Sequence, residues 1–329
     1  MSLLAPTLEA FFTERLARQN NASPNTIASY RDCLRLLLRF VHDTTGTPPS
    51  KLRIEDLDAP VVGAFLDHLE RDRGLSPASR NTRLAAVHSL FRFASLRHPE
   101  HAALIGRVLA IPPKRGERAL VCFLLPDEVD ALLASPDRSR QVGRRDHCLL
   151  LVAVQTGLRV SEVTGLRRRD VHLGTGAHVD CRGKGRKERS TPLTRQTVEV
   201  LRVYLAERGA DPDDPLFPGP SGAALTRDAV RYLVKRHLQA AIRRCPSLAS
   251  KNVGPHVLRH TCAMRLLESG TDVATIALWL GHESPRTTQM YLHAYLALKE
   301  RALARTTPPH TKPGRYKPSD RLLAFLDSL

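Results

Sequence analysis

A mostly α-helical protein of two domains, carrying one small antiparallel β-hairpin or sheet, is the fold that this sequence predicts. Three observations predict it. The chain has 329 residues, more than a single hydrophobic core usually organises. Apolar residues recur at helical spacing along most of its length. Only HVDCRGKGRKERSTPL (178–193) alternates on both sides of a Gly-Lys-Gly turn, as a hairpin does.

The first hundred residues read as an all-α bundle. Ser23-Pro24 is an N-cap followed by proline at the first helical position, and Ile27, Tyr30, Leu34, Leu37, Leu38 and Val41 then share one face. TTGTPPS (44–50) breaks that helix. A second helix is expected over Ala59–Arg71, and GLSPASRN (74–81) opens a third with Leu84, Val87, Leu90 and Phe91 on its apolar side. Arg80, Arg83 and Arg92 belong to this helix; they could grip phosphates or form a solvated face. The helical domain is placed at 1–97 and a linker at 98–118, where IPPKRGER (111–118) combines Pro, Gly and charge.

The second domain is placed at 119–305. LLPDEVDALLAS (124–135) has a helix start after Pro126, and HCLLLVAVQTGL (147–158) is a nearly all-apolar helix stopped by Gly157, a candidate for the domain core. In the hairpin, Val179 and Cys181 are expected to face Thr191 and Leu193. Helices resume at Thr194–Arg208, Thr226–Arg244, His256–Ser269, Asp272–Gly281 and Ser284–Arg305. A tail at 306–329 follows, with Leu322, Leu323, Leu326 and Leu329 in a narrow stripe too short to stand alone, so it should dock on its own domain or on a neighbouring subunit.

Charge narrows the partner. Lys and Arg total 50 against 33 Asp and Glu, a formal +17. Residues 1–100 carry 13 basic and 11 acidic side chains and the remainder 37 and 22, so +15 of the excess lies beyond residue 100. A cationic C-terminal part points to a polyanion, with nucleic acid the first candidate. A membrane surface is the weaker competitor, because the basic residues are dispersed and no polybasic anchor helix stands out. No apolar run approaches the roughly 18 residues of a transmembrane helix, and MSLLAPTLEA lacks the basic start and apolar run of a signal peptide. The six cysteines have neither CxxC pairing nor regular spacing, which reads as reduced thiols of a cytoplasmic protein and argues against structural zinc.

Several short stretches could carry chemistry, each with a plainer reading beside it. In TGLRVSEVTGL (156–166), Arg159 sits in a tight turn between a glycine stop and a helix start; it is either a loop charge or a site residue. Glu162 is either a first-turn charge favoured by the helix dipole or the support of a neighbouring histidine or arginine. The GKGRKER turn (183–189) bears Lys184, Arg186, Lys187 and Arg189, a solvated tip or a probe for a nucleic-acid backbone. With nine lysines against 41 arginines in the chain, a proton donor there should be Lys184 or Lys187, since arginine does not release its proton. PHVLRHTCAMRLLESG (255–270) sets His256 and Arg259 on one face of a helix start, a natural anion site. His256 and His260 form an i,i+4 pair, but no Glu follows His256 in the HExxH manner, which counts against a metal. WLGHESPRTTQMYLHAYL (279–296) adds His282 and two tyrosines, Tyr291 and Tyr295, one helical turn apart.

Taken together these pieces resemble the tyrosine recombinases, or phage-type integrases, and most closely their bacterial Xer-like members. TGLR with SE behind it, GKGxKER, HVLRH, LGH and TTQMY occur in the family's order over about 120–300, with a less specific likeness over the helical N-terminal part. The resemblance implies a C-shaped clamp made of a helical core-binding (SAM-like) domain and a catalytic domain, working on duplex DNA with specific recombination sites. It implies a homotetramer in the synapse, or a heterotetramer with a second recombinase. It implies that Arg159 and Arg259 hold the scissile phosphate, that His256 and His282 assist, that Lys184 is the acid for the leaving 5′ oxygen, that Glu162 supports the set, and that Tyr291, nine residues after His282, is the nucleophile. Tyr295 is then a packing residue. Arg80, Arg83, Arg186 and Lys187 are expected on the DNA.

That assignment makes chemical sense. Strand exchange without hydrolysis needs a nucleophile that keeps the bond energy in a covalent intermediate, and a tyrosine phenolate serves. Two arginines and imidazole donors can stabilise charge on the phosphate, so neither metal nor cofactor is expected. The expected activity is site-specific recombination through a 3′-phosphotyrosyl intermediate and a Holliday junction, in integration, excision, transposition of a mobile element, or resolution. The rivals are a type IB topoisomerase-like strand transferase and a non-catalytic DNA-binding protein of the same fold; the motif wording opposes the first, and the unbroken set of catalytic positions opposes the second. The chain begins directly with the helical domain, leaving no room for an arm-binding domain. Its segment after Tyr291 is longer and richer in proline than the short Xer tail, which makes 322–329 a candidate for docking on the next protomer.

Overall fold

The computed structural model describes residues 3–115, 121–183, 188–209 and 211–282, together with Thr288, Met290 and Tyr291. The chain divides into two compact units, Met1–Arg118 and Ala119–Leu329.

The first unit is all helical. α1 (Leu4–Ala10) continues into a π-helical stretch, Phe11–Gln19, and is followed by α2 (Pro24–Thr45), α3 (Ala59–Arg71), α4 (Pro77–Ser95) and α5 (Ala102–Leu109). The expected starts are made by the expected residues. Ser23 Oγ accepts from the Thr26 amide at 3.2 Å and Ser76 Oγ from the Ser79 amide at 3.3 Å, each ahead of a proline at the first helical position. Phe11, Leu37, Phe65, Leu66, Leu90 and Phe91 are among the side chains that fill the core between these helices.

Two expectations fail here. The stretch read as a linker from residue 98 contains α5, whose Ile105 and Val108 are buried in the first core; its helical spacing is short and hidden behind Pro99. Arg80, read as a DNA contact, is turned inward. Its side chain is 7% exposed, its Nε lies 3.5 Å from the Glu70 carboxylate, and Nη1 donates to the Pro112 carbonyl at 3.4 Å. Arg83 is half-buried and donates to the Ser29 carbonyl at 3.3 Å.

The second unit packs helices around a central one. α6 (Pro126–Leu133), α7 (Gln141–Thr156) and α8 (Val160–Gly165) precede a three-stranded antiparallel sheet of β1 (Val171–His172), β2 (His178–Arg182) and β3 (Glu188–Pro192). α9 (Arg195–Ala206), α10 (Arg227–Ile242), α11 (Pro255–Glu268) and α12 (Val273–Leu280) follow. α7 is buried on nearly every side from Asp146 to Val154, as its apolar run requires, and it ends where Gly157 turns left-handed at φ 64°. A side chain at Gly157 would also collide, its Cβ lying 2.6 Å from Leu280 Cδ2.

The sheet corrects the expected register. Val179 pairs with Thr191 as predicted, but Cys181 pairs with Arg189, and Leu193 lies beyond β3, where its amide donates to the Ala177 carbonyl at 2.9 Å. Two-residue alternation then puts Arg189 on the same inward face as Val179, Cys181 and Thr191, not at a solvated tip. β1 was not foreseen, because two residues are too few to show a period.

Candidate active site

The C-terminus of α7 is the foundation of the site. A helix end leaves carbonyls without intrahelical partners, and here three in succession are taken up by groups from α11 and α12. Cys262 Sγ donates to Gln155 O at 3.2 Å, Trp279 Nε1 to Thr156 O at 3.0 Å, and Arg259 Nη1 to Gly157 O at 2.7 Å. Arg259 also donates from Nη2 to Leu280 O at 2.6 Å, the end of α12. Its guanidinium thus lies against the negative ends of two helices. Burial, and then the neighbouring Arg159, pull its pKa down to about 10, which still leaves it charged at neutral pH.

Arg159 is the residue before α8 and is fixed at the same end of α12. Nη2 donates to Gly281 O at 2.9 Å and Nη1 to Glu162 Oε1 at 2.9 Å, while its own amide donates to Glu162 Oε2 at 2.7 Å. Glu162 is the hub. Its side chain is 2% exposed and also accepts from Arg189 Nη1 at 3.0 Å and Nη2 at 2.8 Å. Burial alone would raise its pKa, but the hydrogen bonds from Arg189 and Arg159 outweigh it and hold the carboxyl below its usual range. Of its two readings, Glu162 is therefore the support of neighbouring arginines. Arg189 completes the brace by donating from Nε to Trp279 O at 3.1 Å. Gly281 allows this approach, since a Cβ there would stand 2.7 Å from Arg189 Nη1, and its φ of +63° also favours glycine.

The histidines and Tyr291 close the site. His282 follows the left-handed turn at Gly281, and its Nδ1 lies 2.7 Å from Thr288 Oγ1. Its ring stacks near-parallel to that of Tyr291, 6.4 Å between centroids. His260 Nδ1 lies 3.0 Å from the Tyr291 hydroxyl. His256, exposed at the start of α11, stacks on His260 at 6.5 Å. Burial, followed by His256 and Arg259, lowers His260 to about 4; burial, Arg259, Arg159 and Arg189 lower His282 to about 4. Both are neutral imidazoles at pH 7. Tyr291 is 2% exposed, and burial, only partly offset by Arg259, pushes its hydroxyl up to about 12.

The structure thus brings together Arg159, Glu162, His256, Arg259, His282 and Tyr291. Lys184, Arg186, Lys187 and Tyr295 lie outside the described residues, as does 306–329. Two further residues join the cluster. In sequence Arg189 reads as a hairpin charge, although alternation from Thr191 places it inward. In sequence His260 reads as half of an i,i+4 metal pair, although it stands one turn from His256 on the same helix and meets Tyr291.

Residues 122–297 match the phage integrase family, and residues 10–98 match the phage integrase N-terminal SAM-like domain. A putative integrase/recombinase, y4rC, of Sinorhizobium fredii is 56% identical over 99% of this chain and 98% of its own length. The tyrosine recombinase XerC of Pelobacter propionicus is 34% identical over 87% of this chain and 90% of its own. Among solved structures, the XerH site-specific recombinase bound to its palindromic difH substrate has a TM-score of 0.69 at 26% identity, covering 91% of this chain and 83% of that one. The chain belongs to the phage integrase family and is a tyrosine recombinase.

Proposed function

We propose that this recombinase cuts and rejoins duplex DNA at specific sites through a 3′-phosphotyrosyl link on Tyr291. The observation that carries the proposal is the convergence of Arg159, Arg259 and His282 on the turn at Gly281, with Tyr291 beside His282. Two guanidiniums held against helix ends are pre-organised for charge that develops on a phosphate, with nothing to reorganise at the moment of reaction. His256 and His282 supply further donors. Glu162 acts through Arg159 and Arg189, and Lys184 protonates the leaving 5′ oxygen. Neutral His260, within hydrogen-bonding distance of the Tyr291 hydroxyl, is able to accept its proton as the phenol attacks.

Exchange through a Holliday junction, a synapsed tetramer, and a cytoplasmic role in moving or resolving DNA complete the reading. The XerH complex with its difH substrate supports the DNA partner. Among the described residues no helix is long and apolar enough to cross a membrane. The helical unit Met1–Arg118 is read as the core-binding domain and 119–305 as the catalytic one. Arg83, Arg186 and Lys187 are the proposed DNA contacts, while Arg80 is a buried residue paired with Glu70.

The test is a nicked suicide duplex carrying the candidate site from the DNA that flanks the gene. Mass spectrometry of the trapped adduct is expected to place the DNA on Tyr291. An adduct on another tyrosine would sink the assignment. Relaxation of supercoiled DNA lacking any specific site would favour a topoisomerase instead.

A further inference from the structure

The face of the sheet opposite Arg189 carries a second cluster. His172, the last residue of β1, pairs directly with His178, the first of β2, and their rings stack 4.4 Å apart. Asp180 follows His178 by two residues on the same face and pairs with Ser190 of β3. His172 Nε2 lies 3.0 Å from Asp180 Oδ2, and His178 Nε2 lies 3.7 Å from Asp180 Oδ1.

The protonation of His178 is constrained by its other nitrogen. Nδ1 lies 2.7 Å from the Gly176 carbonyl, which can only accept, so Nδ1 carries hydrogen. In the neutral ring Nε2 then presents a lone pair toward a carboxylate oxygen. A ring nitrogen and a carboxylate oxygen 3.7 Å apart leave room for a cation between them, either a proton on Nε2 or a metal ion bound by both. His172, His178 and Asp180 each offer one ligand atom, and these atoms all lie within 4.8 Å of one another. A tetrahedral ion with bonds of roughly 2.0–2.1 Å holds its ligands about 3.3 Å apart, so small side-chain rotations suffice. The outer partners also fit. The Gly176 carbonyl orients His178, and Ser190 Oγ donates to Asp180 Oδ1 at 2.6 Å, as carbonyls and hydroxyls do around metal ligands.

We propose that His172, His178 and Asp180 bind a divalent cation of the borderline class, Zn2+ foremost, with its remaining position open to solvent. The ion would clasp β1 to β2 and, through Ser190, tie in β3, stiffening the sheet whose opposite face seats Arg189. It stands apart from the chemistry at Tyr291. The irregular cysteines bear on thiolate zinc sites and not on this one.

The test uses the full chain, tag-free and stripped with chelator, titrated calorimetrically with ZnCl2 and separately followed by the visible absorption of tetrahedral Co2+. A single equivalent is expected to bind, Zn2+ to displace Co2+, and the melting temperature to rise with metal. His172→Gln and Asp180→Asn are expected to weaken binding about tenfold or more, and Ser190→Ala about tenfold. These three residues lie on an exposed or half-exposed face, so circular dichroism and cleavage of the suicide substrate should not change. His256 and His260 are the competing pair. Failure of the unmodified chain to take up Zn2+, or uptake that survives His172→Gln undiminished and vanishes in His256→Gln, overturns the proposal.

Discussion

His260 Nδ1 lies 3.0 Å from the hydroxyl of Tyr291, with the two rings meeting edge to face at 5.6 Å. The candidate nucleophile is therefore seated in the third core cluster, among Met264, Ile276 and Leu280, with its polar end held by a neutral imidazole. Such a phenol is a poor nucleophile until its proton has somewhere to go.

Tyr291→Phe should abolish the covalent adduct on a suicide duplex while DNA binding by gel shift is retained. Losing the hydrogen bond to His260 should cost about 0.5–1.5 kcal/mol in urea unfolding. Tyr295→Phe should stay active.

His260→Gln should slow single-turnover cleavage by about 10²-fold if His260 takes the proton, the lower end of general-base effects. DNA affinity should be unaltered. A cleavage rate equal to that of the unmodified enzyme would remove His260 from the reaction.

Glu162→Ala should be severe, because it leaves Arg159 and Arg189 facing each other without their shared anion. Breaking one side of a buried pair typically costs about 3–5 kcal/mol. Arg189→Ala should cost a comparable amount, and a double-mutant cycle should show the combined loss to be well short of the sum. Additive losses would mean that the two residues act independently.

Gly281→Ala should disturb the same brace from the other side, through its left-handed φ and the 2.7 Å approach to Arg189 Nη1. A penalty of about 1–3 kcal/mol is expected from the backbone alone. Cleavage should fall with it, since the Gly281 carbonyl holds Arg159.

Acid should destabilise the protein through its buried imidazoles. His260 and His282 titrate at about 4 in the folded chain against 6.5 for a free imidazole. As pH falls, the unfolded state takes up these protons first, so their contribution is whole above pH 6.5 and is lost between about 6.5 and 4. Urea midpoints measured across that window should drop, and a His260→Asn/His282→Asn variant should show a shallower dependence.

Much of this was legible in one dimension. Helix starts at Ser23-Pro24 and Ser76-Pro77, the stop at Gly157 and the hairpin at 178–193 rest on local chemistry, which a sequence displays directly. The order of TGLR, HVLRH, LGH and TTQMY likewise points to the family, because catalytic groups recur at characteristic spacings in a shared fold. What could not be read was where a charged side chain ends up once distant segments meet. Arg80 and Arg189 look like surface cations in sequence, yet each is turned inward to a carboxylate, Glu70 ten residues away and Glu162 twenty-seven residues away. α5 and β1 were hidden because eight residues and two residues carry too little periodicity. The sequence by itself determined most of the elements and the family, and it named the candidate reacting groups, since caps, stops and motif residues act over a few positions. Only the tertiary structure decided which arginines are braces and that His260 meets Tyr291, because those contacts join helix ends and a strand brought together by burial of the core.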